Sequence, residues 1–234
     1  MAKARGLGGL LALCAAVAFL AGCGGSSGPK PPHGGAVLRL ALPHVPATLD
    51  PANAADLPSL NVAHELYAGL TRFSGTGVEP DLAESWDVGE GGLVWTFHLR
   101  DGIRWSDDTP ITAADFRRSW LRALAPKTAA PYAGPALGIV RGARHFHATG
   151  RGGLGVEAPD EHTLRVTLQH PVPWFDELAA FPIAAPTPPR PTAFSGPFRV
   201  VSRNAKRLVL ERNVNYWNSE AVKPSRLVLS AAKK

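Results

Sequence analysis

The chain has little that would support enzymatic chemistry or covalent cross-linking. Its two cysteines, Cys14 and Cys23, both precede residue 24, so the remainder of the chain cannot hold a disulfide. No stretch matches the GxSxG nucleophile motif, the phosphate-binding P-loop or the HExxH zinc motif, and no Ser-His-Asp spacing stands out. We therefore predict that the protein is not an enzyme and carries no cofactor and no resident metal.

A dense basic run is also missing, although the chain is basic as a whole. The 25 Lys and Arg residues against 19 Asp and Glu give a formal net charge of +6, spread along 234 residues. This pattern does not predict nucleic-acid binding. The 45% hydrophobic content is enough for one or two domains with real cores, and the scattered 22 prolines and 24 glycines favour short strands and turns.

The first 36 residues have the pattern of an export leader and a tether. Lys3 and Arg5 precede the apolar run GLGGLLALCAAVAFLAG, which is too short to span a bilayer comfortably. The run ends in LAGC, which resembles the lipobox of bacterial lipoproteins. The resemblance implies a signal peptide over residues 1–22, lipidation of Cys23, and anchoring to a membrane at the periplasmic face of the cell envelope. An ordinary secretory signal is the alternative. Residues 23–36 are rich in Gly, Ser and Pro, which predicts a flexible tether.

The first third of the folded part predicts a strand, a helix and a second strand. AVLRLAL alternates in polarity as a strand does. In SLNVAHELYAGL, the residues Val62, Leu66 and Leu70 form one helical stripe, with Gly69 placed as a C-cap. LVWTFHLR alternates again, and Asp101-Gly102 offers a tight turn after it.

The stretch WSDDTPITAADF contains three carboxylates, but its spacing predicts a turn followed by a helix. Thr112 and Asp115 have the spacing of a capping box, and a stripe of Phe116, Trp120 and Leu124 follows until Pro126 stops the helix. Asp107 and Asp108 are adjacent residues of one turn, whereas catalytic carboxylate pairs usually come from separate elements that face a cleft. We therefore interpret the cluster as structural.

Two hairpins and a final strand are predicted in the second half of the chain. They are predicted at LGVEAPDEHTLRVTL, FRVVSRNAKRLVLERN and RLVLS, without a repeat or a regular alternation with helices. This mixture predicts an α+β fold with mixed sheets.

The order of several segments resembles bacterial extracellular solute-binding protein family 5, the peptide- and nickel-binding lipoproteins that serve ABC importers. The matching stretches are TLDPANAADLPSLNVAHELYAGL, PDLAESWDVGEGGLVWTFHLRDGIRWSDDTPITAADFRRSW, LAPKTAAPYA, LGVEAPDEHTLRVTLQHPVPWF and GPFRVVSRNAKRLVLERNVNYW. Together they cover nearly everything from Leu40 to Ser230.

The resemblance implies one part of a two-lobed periplasmic-binding-protein architecture of type II, cluster C. Residues 37–78 and 190–234 would form the core segments of the first lobe, and residues 79–189 an inserted subdomain. Such a clamp closes on an extended oligopeptide, whose backbone pairs with short protein strands, and delivers it to ABC permease subunits in the inner membrane.

The resemblance also implies which residues contact the ligand. The loop Ala55, Asp56 and Leu57 would lie beside the peptide backbone. Tyr132 matches a tyrosine that reaches the peptide, although a packed loop aromatic is an equal alternative. Tyr216 is the weaker candidate, placed near the hinge between lobes.

Three departures from the family pattern affect these expectations. Asp108 stands where glycine is usual, which predicts mild strain in the turn. The Pro-rich segment between Phe181 and Gly196 is shorter than usual. The chain has about half the family length, so the second lobe and the strand that returns from it are expected to be absent, which would leave a sheet edge uncovered. Two alternatives to a peptide receptor stay open. One is a receptor of the same family for nickel, haem or sugars, because the lobe present here is shared by all of them; the other is a lipoprotein remnant that binds nothing.

The pair His145 and His147 raises a metal site as a further hypothesis. On a strand, the two side chains would share a face, but the surrounding RGARHFHATGRGG is basic and rich in glycine. We interpret the segment as a loop without a clear third ligand, and we predict no metal site. His98 and His162 are expected to face solvent from strands.

Overall fold

The computed structural model of the chain describes residues 35–75 and 77–232, and within them ten strands and five α-helices. The strands are β1 (Val37–Leu42), β2 (Thr71–Ser74), β3 (Gly77–Pro80), β4 (Ala83–Gly89), β5 (Val94–Leu99), β6 (Val156–Glu157), β7 (Thr163–Thr167), β8 (Phe198–Asn204), β9 (Arg207–Arg212) and β10 (Arg226–Ala231). The helices are α1 (Leu57–Leu66), α2 (Ala113–Leu124), α3 (Ala133–Leu137), α4 (Ala143–Thr149) and α5 (Phe175–Ala179).

The strands form two four-stranded sheets and a small hairpin. The first sheet has the order β1-β10-β9-β8, in which β1 and β10 are parallel and the other pairs are antiparallel. The second sheet, β4-β5-β7-β6, is antiparallel throughout, and β2 pairs with β3. The predicted α+β architecture with mixed sheets is confirmed, as are both predicted hairpins, β6–β7 and β8–β9.

Each four-stranded sheet has its own hydrophobic cluster. Against the second sheet, the rings of Trp95, Phe97, Trp120 and Phe175 pack in stacked, tilted and edge-on pairs with centroids 5.5–6.3 Å apart. Against the first sheet, α1 buries Val62 and Leu66 on leucines of β9 and β10. Removing one large apolar side chain from water stabilises the fold by about 1.5–3 kcal/mol, so these clusters supply much of the driving force.

Helix α2 begins and ends as its sequence predicts. The carboxylate of Asp115 accepts a hydrogen bond from the backbone N–H of Thr112 at 2.9 Å, which is the return half of a capping box. Phe116, Trp120 and Leu124 are all fully buried, and Leu124 is the last helical residue before Pro126. The apolar stripe therefore sets the face that α2 turns toward the second sheet.

The predicted role of Gly69 as a helix C-cap is wrong. Helix α1 ends at Leu66, and the N–H of Tyr67 closes its last turn on the carbonyl of Ala63. A Cβ at Gly69 would lie 2.7 Å from the carbonyl oxygen of Ala179, so close backbone packing explains the glycine.

The loop predicted around His145 and His147 is also wrong, because these residues lie in α4. At 3.6 residues per turn, positions two apart point about 200° away from each other, so the two side chains do not share a face. His147 Nδ1 lies 2.9 Å from the carbonyl oxygen of Leu124 and fastens α4 to the end of α2.

The predicted leader and the lipidated Cys23 lie outside the described residues. Of the helices that are described, none is long and apolar enough to cross a membrane.

Candidate functional site

The backbone is extended at the surface position just before α1. Asp56 has φ −108° and ψ 159°, and its carboxylate accepts the backbone N–H of Ser59 at 2.7 Å as an N-cap. Ala55 is exposed, and Leu57 is 70% exposed although it is apolar. The three predicted ligand residues therefore lie at the surface where α1 begins: Ala55 precedes the helix, Asp56 caps it and Leu57 is its first residue.

Tyr132 comes to this loop from a distant part of the sequence. It stands at the start of α3 and is 40% exposed, and its hydroxyl donates a hydrogen bond to the carbonyl oxygen of Ala55 at 3.4 Å. The structure thus brings together two predicted ligand segments that are 77 residues apart.

An apolar cavity of about 320 Å³ lies beside Tyr132. Its walls include Pro51, Ala54, Leu60, Phe181 and Ile183. We call it the Tyr132 cavity. A concave apolar wall with one phenol hydroxyl at its rim can hold an apolar side chain of a ligand.

The position of the loop depends on an ion pair that the sequence pattern did not reveal. Arg122, on α2, donates from Nη1 to Asp50 Oδ2 at 2.9 Å and from Nη2 to Asp50 Oδ1 at 2.5 Å. Burial alone would raise the pKa of the Asp50 carboxyl, but the hydrogen bonds and charge of Arg122 outweigh it and hold that pKa below its ordinary value. The bidentate pair ties the loop to the helix.

Tyr216 lies in a different cluster from Tyr132. It is 6% exposed, and its hydroxyl donates to Asp81 Oδ1 at 2.9 Å, the oxygen that also accepts from Trp217 Nε1 at 2.7 Å. Burial is the main cause that raises the pKa values of Asp81 and Tyr216. A cavity of about 360 Å³ adjoins Tyr216 and shares no lining residue with the Tyr132 cavity. The structure therefore does not bring Tyr216 together with the other predicted ligand residues.

In the 107–108 turn, the carboxylate of Asp107 forms hydrogen bonds within the turn itself. Asp107 Oδ1 accepts from the N–H and the hydroxyl of Thr109, at 3.2 and 2.6 Å. These hydrogen bonds lower the pKa of Asp107. Asp108 has φ +70°, in the left-handed region that glycine adopts more readily, which agrees with the predicted strain. The two side chains thus do not face a common substrate.

A search of the described residues finds no group of three or more His, Cys, Asp and Glu side chains that could hold a metal ion.

Comparison with known proteins connects this geometry to a family. The chain matches the family described as bacterial extracellular solute-binding proteins, family 5 middle, over residues 77–234. It is 41% identical over 152 residues to the probable deoxycholate-binding periplasmic protein YgiS of Escherichia coli, which covers 61% of this chain and 28% of that protein. It is 38% identical over 195 residues to the periplasmic oligopeptide-binding protein OppA of E. coli, covering 74% of this chain and 35% of that protein.

The fold agrees with the sequence match. The substrate-binding domain of an oligopeptide ABC transporter from Bacillus anthracis superimposes with a TM-score of 0.80 at 29% identity, covering 84% of this chain and 41% of that one. The matches to YgiS and OppA cover about a third of the length of those two curated relatives. Because the family match covers more than half of the chain and the fold agrees, this chain belongs to the bacterial extracellular solute-binding proteins of family 5.

Proposed function

We propose that the chain forms part of the peptide-binding wall of an ABC-importer receptor. The observation that carries the proposal is the hydrogen bond between Tyr132 and the carbonyl of Ala55, which places a phenol, an extended loop and the Tyr132 cavity side by side. An extended backbone segment can pair with a peptide main chain while the cavity takes a side chain, which is how extended peptides are commonly recognised.

The domain division belongs to the same proposal. Residues 37–78 and 190–234 would form the lobe core, and residues 79–189 an inserted subdomain. In support, the first sheet takes its strands from the two outer segments, and the second sheet takes its strands from the middle one.

The cell-envelope part of the proposal rests on the sequence. Residues 1–22 would be removed, Cys23 would carry lipid chains, and the receptor would pass its oligopeptide to permease subunits of the inner membrane. Incorporation of labelled palmitate that is lost in Cys23→Ser would support the anchor, and equal labelling of both chains would contradict it.

Calorimetry on the purified full chain tests peptide binding. We expect heat on titration with Ala-Ala-Ala at millimolar concentration. Tyr132→Ala is expected to weaken binding by about 1 kcal/mol or more, because a central aromatic contact is lost. Tyr132→Phe keeps the ring and removes only the bond to Ala55, so we expect a smaller loss. Unchanged affinity in Tyr132→Ala would show that the ring only packs on the lobe.

Other cargoes are separated by parallel titrations. Nickel, haem and sugars are included as cargoes because of the family resemblance. Deoxycholate is included because the similar E. coli protein YgiS is described as probably deoxycholate-binding. Heat with one of these and none with peptides would replace the peptide proposal. No heat with any of them would favour a lipoprotein that has lost its binding role.

A further inference from the structure

A larger cavity lies on the opposite side of Pro51 from the Tyr132 cavity. It has a volume of about 570 Å³, and Pro51 is the residue that lines both cavities. Three arginines, Arg118, Arg122 and Arg203, converge on it from α2 and β8. We call it the arginine cavity. None of the residues that the family resemblance assigns to the ligand lines it.

Two of the three arginines are already neutralised by carboxylates. Arg122 forms the bidentate pair with Asp50 described above. Arg118 donates from Nη1 to Asp115 Oδ1 at 2.5 Å and from Nη2 to the carbonyl oxygen of Thr187 at 2.8 Å. These two side chains therefore shape the cavity but contribute little net charge to it.

Arg203 is the uncompensated charge. Its Nη2 donates to the carbonyl oxygens of Pro46 and Ala47, both at 2.6 Å. In the part of the chain that the structure describes, Arg203 has no carboxylate partner. A guanidinium stays protonated and has five N–H donors, so Nε and Nη1 remain available to an anion.

A second donor, the hydroxyl of Tyr67, lines the same cavity. Tyr67 is 6% exposed and lines the arginine cavity, yet its hydroxyl makes no hydrogen bond to any described residue. Its oxygen is not among the buried unpaired atoms of the described residues, so it is open to the cavity and available as a donor to a ligand there.

Apart from Asp50, whose charge Arg122 neutralises, and Thr187, the remaining wall is apolar and stiff. Pro188, Pro189 and Pro191 form one side, and Leu49 adds to the other. Proline has a fixed φ and no backbone N–H, so this side offers few donors to a second polar group. The ligand that fits has one anionic group and an apolar body.

We propose that the arginine cavity binds a carboxylate carried on a small apolar body, with Arg203 and the Tyr67 hydroxyl as its donors. Two sources can supply this chemistry: a free organic acid, or the acidic end of a peptide that also occupies the adjoining Tyr132 cavity. The planar guanidinium fork matches carboxylate geometry.

Calorimetry on the purified full chain at pH 7 tests the proposal without any variant. We expect 4-phenylbutyrate to bind at least about tenfold more tightly than its neutral amide, because a charged hydrogen bond is worth that factor or more. In the peptide arm, Ala-Ala-Ala is compared with its C-terminal amide. A preference for the acid in one arm identifies the source, and equal binding of acid and amide in both arms overturns the proposal.

Variants then assign the preference to the cavity. Arg203→Gln is expected to lose about tenfold in affinity for whichever acid binds, and Tyr67→Phe a smaller factor. Arg207→Gln is the matched control, since Arg207 on the neighbouring strand β9 is exposed like Arg203 but does not line the cavity. If Arg203→Gln does not fold, Arg203→Lys replaces it. The lysine keeps the positive charge but lacks the planar guanidinium, so its affinity for the acid tests the contribution of guanidinium geometry.

Other outcomes separate this site from the proposed peptide wall. Loss of 4-phenylbutyrate binding in both Arg203→Gln and Arg207→Gln would assign the effect to overall charge and overturn the proposal. Tyr132→Ala is expected to leave 4-phenylbutyrate binding intact, so a failure of the Tyr132 proposal does not imply a failure here.

Discussion

At the scale of single residues, Asp108 has a strained backbone conformation. Its φ of +70° lies in the left-handed region, where a Cβ meets the following carbonyl group. Arg104 Nη1 donates to the backbone carbonyl of Asp108 at 2.9 Å, and this bond does not depend on the side chain at position 108. The Asp108 carboxylate itself has a long, exposed ion pair with Arg104 Nη1 at 3.7 Å, and such surface pairs contribute little to stability.

We expect Asp108→Gly to stabilise the fold by about 0.5 kcal/mol, because relief of the left-handed strain exceeds the entropy that glycine adds to the unfolded chain. Urea unfolding measures the change. The matched variant Asp107→Gly should instead cost about 1 kcal/mol, since it removes two hydrogen bonds from Thr109. Equal effects of the two variants would contradict this reading of the turn.

At the scale of elements, the Asp50–Arg122 pair connects the loop before α1 with α2. The carboxylate also accepts from the N–H of Ala52 at 3.1 Å and from Asn53 Nδ2 at 3.0 Å. One side chain thus organises the loop and fastens it to a helix of the other hydrophobic cluster. Both cavities share Pro51, the next residue, so this pair also sets the wall between them.

The pair predicts a pH dependence of stability. The folded pKa of Asp50 lies below its ordinary value of 3.8, so the carboxylate stabilises the fold above that value and loses its effect as the pH falls through the folded pKa. Asp50→Asn is expected to cost about 1–2 kcal/mol at pH 7, and its difference from the wild type should shrink below about pH 4.

Urea unfolding between pH 7 and pH 3 measures this dependence. Glu84→Gln, at an exposed position of β4, removes one carboxylate without such contacts and serves as the control. A difference between Asp50→Asn and wild type that stays constant over the whole range would contradict the assignment.

At the scale of the whole molecule, the fold closes where the last third of the chain returns to α1. The N–H of Gly196 donates to the carbonyl of Leu66 at 2.9 Å, and the N–H of Ala68 donates to Ser195 Oγ at 3.1 Å. A Cβ at Gly196 would lie 2.7 Å from backbone atoms of Leu66 and Tyr67. After this contact, β8, β9 and β10 complete the first sheet.

Gly196→Ala is therefore expected to destabilise the fold by about 2 kcal/mol or more, because backbone atoms cannot give way as a flexible side chain can. Gly134→Ala is the matched control, since a Cβ there meets nothing within 4 Å and alanine favours a helix. Thermal unfolding distinguishes the two. If Gly196→Ala is as stable as the wild type, the backbone around Gly196 can move away from Leu66 and Tyr67 at little cost, which would contradict the prediction.

Local patterns were enough to predict most elements but not the ends of all of them. The capping box of Thr112 and Asp115 and the stripe of α2 are short-range features, and both are confirmed. The prediction for Gly69 is wrong because glycine is expected both at a helix C-cap and where two backbone segments approach closely. The residue type alone does not distinguish the two causes. The segment around His147 was misassigned because flanking glycines suggested a loop, while contacts with α2 stabilise a helix.

By itself, the sequence determined seven of the ten described strands, the two longest helices, the fold class and the family, since each depends on periodicity, caps and the order of segments; it did not predict β2, β3 and β4. Only the tertiary structure decided that Tyr132 meets Ala55, that β1 pairs in parallel with β10, and that Arg203 has no carboxylate partner among the described residues. The physical reason is distance along the chain. Contacts between residues 70 to 190 positions apart depend on how whole elements pack, and no local pattern of side chains encodes them.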